Sequence, residues 1–140
     1  MGLPPRFAYP LFELAGRWNC SISDIAEWAT MGFFDLITGV PIVYCGDKPI
    51  AGMMAVHPAD MLPLFRRDGT GPTEVRLYRI RPIETPHEKR TEYLFISQPD
   101  AGIVVNRADI LITAADVARF EDEVGISRKP SVAPSNAKYD

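Results

Sequence analysis

Cysteine and histidine are scarce in this 140-residue chain, which holds two of each. Cys20 and Cys45 cannot make a zinc site between them, and two cysteines are too few for a disulfide framework. Both read as reduced thiols, and no metal or other cofactor is expected. No apolar run approaches the length needed to cross a bilayer. Pro4, Pro5 and Pro10 interrupt the start of the chain, and no apolar stretch follows a basic end, so no signal peptide is read and the expected compartment is the cytoplasm. The motifs of common catalysts are also missing: there is no His-Glu-x-x-His, Walker loop, nucleophile elbow or dinucleotide fingerprint. The GTG at residues 69–71 has no Gly-Lys-Ser/Thr after it and reads as a bare loop. A small hydrolase or nuclease would have to be built on His57, ahead of Pro58, or on His87 in the polar turn TPHEKR. The expectation is that no residue is catalytic and that the chain is not an enzyme.

What is present is a large apolar share, 46% of residues, in a chain of one domain's length. Helical spacing occurs twice near the start, at Leu11, Leu14, Ala15 and Trp18 and again at Ile22, Ile25 and Ala29. Asn19 tolerates the left-handed backbone of a tight helix exit, Ser21 with Asp24 writes a capping box, and Gly32 ends the second helix. Two helices joined by so short a corner form a helix-turn-helix.

Strand formers follow in residues 34–44, broken at 39–41 and at 45–49, and residues 50–56 return. A hairpin of this kind directly after a helix-turn-helix is a wing, with Lys48 near its tip. Residues 58–67 predict a short helix that turns Met61, Leu62, Leu64 and Phe65 inward. Residues 74–84 alternate as a strand with one apolar and one cationic face, irregular near Tyr78. TPHEKR turns into a return strand at residues 93–96. Short strands at 103–105 and 110–112 precede a last helix, capped by Thr113 and stopped by Gly125. On that helix Asp116, Glu121, Asp122 and Glu123 read as a solvated acidic face.

The segment from Tyr9 to Phe34 resembles the helix-turn-helix of MerR-type regulators and excisionase-like proteins. An aromatic residue, a Glu-Leu-Ala triplet, a small turn residue, a serine cap and a glycine exit recur there, matched here by Tyr9, Glu13, Leu14, Ala15, Asn19, Ser21, Ile25 and Gly32. The likeness covers about a fifth of the chain, with a weaker echo at residues 110–121. It implies an α+β fold: an N-terminal winged helix-turn-helix plus a small antiparallel β-rich half closed by a C-terminal helix. The expected divisions are 1–50, 51–125 packed against it as one domain, and a flexible tail at 126–140. The resemblance also implies DNA contact early in the second helix, where Ser23, Asp24, Ala26 and Glu27 stand and none is cationic. Carboxylates are repelled by phosphate, so affinity would have to come from elsewhere.

The net charge is -3, yet the positive charge is concentrated. Residues 66–90 carry seven Lys and Arg against four Asp and Glu, while residues 1–65 carry three against six and 91–140 five against eight. The expected nucleic-acid contacts are Ser21, Ser23, Lys48, Arg66, Arg67, Arg76, Tyr78, Arg79 and Arg81, with Tyr78 stacking on a base. The plain alternative for the arginines is pairing with Glu74, Glu84, Glu88 and Glu92 across a hairpin. Two functions follow. One is a small regulator that binds double-stranded DNA; the other is a protein-interaction module whose helix-turn-helix has lost its basic face and docks a regulatory protein through Glu27 and Met31. No membrane contact is expected, and a homodimer is allowed by either reading.

Overall fold

The computed structural model describes residues 6–66 and 71–125. Strand β1 (Ala8–Pro10) runs into helix α1 (Leu11–Trp18), and Pro10 sits at the boundary, where a missing amide hydrogen costs nothing. Asn19 ends α1 with φ 55°, and the amides of Asn19 and Cys20 both donate to the Ala15 carbonyl. Helix α2 (Ile22–Thr30) starts at once on a reciprocal cap. The Asp24 amide donates to Ser21 Oγ at 3.0 Å, and the Ser21 amide to the Asp24 carboxylate at 3.2 Å. Gly32, with φ 91°, releases the chain from the helix.

The apolar faces of the two helices meet in an aromatic cluster. Trp18 lies 6.3 Å from Trp28 and 4.9 Å from Phe120, ring centre to ring centre, and Phe34 is 5.1 Å from Phe120. Phe120 comes from α4 (Ala114–Val124), which Thr113 caps through the Asp116 amide and Gly125 ends in the left-handed region. The last helix therefore seals the first two from the far end of the chain. Val117 is buried with it, while Val124 is exposed.

The sheet is antiparallel throughout, and the fold is α+β. Strands β2 (Leu36–Cys45) and β3 (Lys48–Val56) form a long hairpin with an irregularity between Val40 and Val43, and its turn places Gly46 at φ 68°. The hairpin expected to stand off as a wing is built into the middle of a six-stranded sheet. With β5 (Arg79–Pro82), β6 (Leu94–Phe95) and β8 (Leu111–Thr113), the order is β1-β8-β2-β3-β5-β6. Strands from both sides of residue 50 interleave, so one core serves the whole described chain. Past β6 the chain turns back onto β2: the Tyr44 amide donates to the Gln98 carbonyl at 2.9 Å, and the Ser97 amide to the Tyr44 carbonyl at 2.7 Å. Pairings β2-β3-β5-β6 thus close on themselves.

The alternating stretch expected as one strand is two. β4 (Glu74–Leu77) pairs with β7 (Ile103–Asn106), whereas β5 pairs with β3 and β6, and the change of partner falls at Tyr78. Residues 58–65 fold as α3 (Pro58–Met61) and a 3-10 turn, burying Met61, Leu64 and Phe65; Leu62, expected inside, is exposed. The expected tail at 126–140 lies outside the described residues.

Candidate functional site

Helix α2 is half enclosed. α1 packs on one side, α3 and the 3-10 turn on another, and Ile25, Ala26 and Ala29 are buried between them. Among the residues expected to touch DNA, Ser21 is exposed but its hydroxyl accepts the α2 cap. Ser23 is half-buried, and its hydroxyl donates to the Phe65 carbonyl at 2.6 Å, tying α2 to the following layer. Glu27 and Thr30 are exposed, and Met31 at the end of the helix is 69% exposed. Phe12, on the outward side of α1, is 67% exposed. Tyr9 is stacked instead of free: the Arg6 guanidinium lies 4.2 Å from its ring centre and that of Arg17 lies 5.5 Å away.

The central arginines do not form the cationic face that their alternation predicts. Arg79 is held by both oxygens of Asp60, at 2.8 and 2.9 Å. Arg81 is 2% exposed, opposite Ala55 of β3, and donates to Asp35 at 2.7 Å. A buried side chain cannot reach a phosphate backbone, so Arg81 is withdrawn from the expected contacts, and Arg79 has its fork occupied. Their partners are Asp60, from α3, and Asp35, the residue just before β2, and not the hairpin glutamates. Lys48, Arg66 and Arg76 are exposed, with one Arg76 donor 3.3 Å from the Ala101 carbonyl, and Tyr78 is 49% exposed. Arg67 lies outside the described residues.

A polar cluster therefore forms where sequence spacing gave no sign of one. Asp35 bridges Arg81 and Arg90, the second at 3.5 Å, while the Tyr93 ring lies 5.4 Å from the Arg81 guanidinium, 5.7 Å from that of Arg79 and 5.2 Å from the His57 ring. Burial works against the charge of Arg81, but Tyr93 and Asp35 outweigh it and its pKa is raised. His57 accepts the Ala59 amide on Nδ1 at 3.1 Å, capping α3. Burial and then Arg79 lower its pKa, against a smaller opposing pull from Asp60. His57 thus stands as a helix cap, and His87 begins a 3-10 turn, His87–Lys89.

The acidic face read on α4 is also divided. Glu121 is 0% exposed and accepts from the Trp18 indole at 2.7 Å and from Arg17 at 2.8 Å, while Asp116 accepts the Asp35 amide and pairs with Arg119. Among the described residues, no three of His, Cys, Asp and Glu are grouped to hold a metal ion. Cys20 and Cys45 are free thiols, and burial, with a lesser push from Asp24, raises Cys20 to about 11. A thiol held so far above neutrality is a poor nucleophile. A depression between α1 and the 3-10 turn, lined by Leu11, Phe12, Ile22, Phe65 and Arg107, holds about 70 Å³, below the range of a metabolite pocket. No helix among the described residues is long and apolar enough to cross a membrane.

Set against family models, curated proteins and solved structures, the chain shows no match.

Proposed function

We propose that this chain is a small non-catalytic regulatory module of the cytoplasm, in which α1, the corner and α2 act as a helix-turn-helix of the MerR/excisionase kind. The unit docks a protein partner in preference to reading a DNA sequence. One observation carries the reading: the side chains that DNA would need are already in use. Ser23 is bonded to Phe65, Arg79 to Asp60, and Arg81 is buried on Asp35. Affinity for duplex comes mainly from cations placed over phosphates, and α2 contains none. Its C-terminal end leaves Met31 exposed beside Thr30 and Glu27, and α1 presents Phe12. Exposed methionine and aromatic side chains are the types that protein contacts enrich and desolvate.

Weak, sequence-indifferent contact with duplex is the second reading, favoured by Lys48 standing exposed beside the hairpin turn, with Arg66 and Arg76 also exposed. A single comparison separates the two. At ~50 mM salt, where phosphate contacts are strong, the docking module leaves duplex unretarded. It also co-purifies with one defined protein, loses that protein on Met31→Asp or Glu27→Arg, and keeps it on Phe95→Ala. Retardation that fades as salt rises, and that disappears with Lys48→Ala and Arg76→Ala, favours the DNA reading.

A further inference from the structure

Three guanidinium groups, on Arg79, Arg81 and Arg90, share two carboxylates, Asp60 and Asp35. The cluster holds one more positive charge than negative. Arg79 satisfies its fork on Asp60, so the surplus resides on the other two arginines, which bind opposite oxygens of Asp35 and therefore lie side by side. Neither is satisfied by that bond. The Tyr93 hydroxyl also acts on the Arg81 guanidinium, yet Nε and Nη1 of Arg81 and Nε of Arg90 are buried and make no well-formed hydrogen bond among the described residues. Buried donors of charged groups are costly to leave unpaired.

We infer that these donors belong to a site for a small tetrahedral oxyanion of the phosphate class. Guanidinium N–H groups form a rigid planar fork that matches such an anion two oxygens at a time, and charge-assisted bonds of this kind are the stronger ones. Tyr93 adds a ring wall beside Arg81, and Asp35 fixes the two guanidiniums at the angle its own oxygens set. The way in is the Arg90 side, since its side chain is 39% exposed while that of Arg81 is 2% exposed. The inference is independent of the docking reading, whose surface lies on Phe12, Glu27 and Met31.

The test uses the full chain and inorganic phosphate, with chloride at matched ionic strength as reference. Phosphate is expected to raise the melting temperature saturably, sulfate to do the same, and chloride to do neither. By calorimetry, Arg90→Gln is expected to weaken phosphate binding at least tenfold, while Arg119→Gln, a surface arginine of α4, leaves it unchanged. Should Arg90→Gln unfold, the Nε–H resonances of Arg81 and Arg90 in the unaltered chain report the same binding by moving as phosphate is added. Equal melting in phosphate and chloride, equal affinity in Arg90→Gln, or unmoved Nε–H resonances overturn the site.

Discussion

The Trp18 indole on α1 donates to the Glu121 carboxylate on α4 at 2.7 Å across 103 positions of sequence. Arg17, beside Trp18, pairs with the same carboxylate at 2.8 Å. Glu121 is fully buried, so its carboxylate ties the two ends of the helical layer together out of water.

Removing that carboxylate strands two donors. Glu121→Ala is expected to cost ~3–5 kcal/mol, the range for breaking a buried pair from one side. Glu121→Gln, which keeps an acceptor for the indole, is expected to cost ~1–3 kcal/mol. Urea unfolding followed by tryptophan fluorescence measures both. In a double-mutant cycle with Arg17→Ala the losses should fall short of their sum; full additivity means the ion pair contributes nothing.

The corner before α2 rests on a reciprocal cap between Ser21 and Asp24. Ser21→Ala is expected to destabilise by ~1 kcal/mol, as loss of a capping hydroxyl does, and Ser21→Asp to retain most of the stability. Thermal melts by circular dichroism decide it. An unchanged melt for Ser21→Ala would show the backbone corner sufficient without the side chain.

His57 gives a pH dependence whose sign follows from its cap. Only the neutral ring can accept the Ala59 amide on Nδ1, and burial with Arg79 lowers the pKa from its ordinary 6.5. The unfolded chain therefore binds the proton first, and stability is lost as pH falls below 6.5, levelling off once the pH passes the lowered folded value. His57→Asn, which can cap without titrating, should flatten that part of a stability profile between about pH 5 and pH 8. A slope that survives the substitution assigns it to another group.

Gly102 takes φ 71°, and a Cβ there would stand 2.5 Å from the Leu77 carbonyl oxygen and 2.9 Å from the Tyr78 ring. The left-handed backbone alone costs an alanine ~1–2 kcal/mol, and a backbone oxygen cannot swing away as a flexible side chain can. Gly102→Ala should lose at least that much by chemical denaturation and should weaken hydrogen-exchange protection where β4 meets β7. Wild-type stability in this variant would mean that the β4 end relaxes freely.

The legible parts of the fold are the ones decided within a few residues. Asn19, the Ser21 and Asp24 cap, the Gly32 exit, the hairpin tip beside Lys48, the Thr113 cap and the Gly125 stop all stand where local spacing placed them. Each is a contest between neighbouring backbone groups, and the side chains that win it lie next to one another in the chain. The expected contacts fared differently. Alternation placed Arg79 and Arg81 together on one face of a strand, as they are, but it carried no information about what covers that face.

Sequence alone determined the helices, their corner, the hairpin and the antiparallel character of the rest, because capping, turn chemistry and period are short-range properties. Tertiary structure decided which charges are spent. Asp35 reaches Arg81 from 46 positions away and Glu121 reaches Arg17 from 104. Only folding brings such groups out of water together, and it is that shared desolvation, invisible in a string of residues, that turns an arginine from a surface contact into part of the interior.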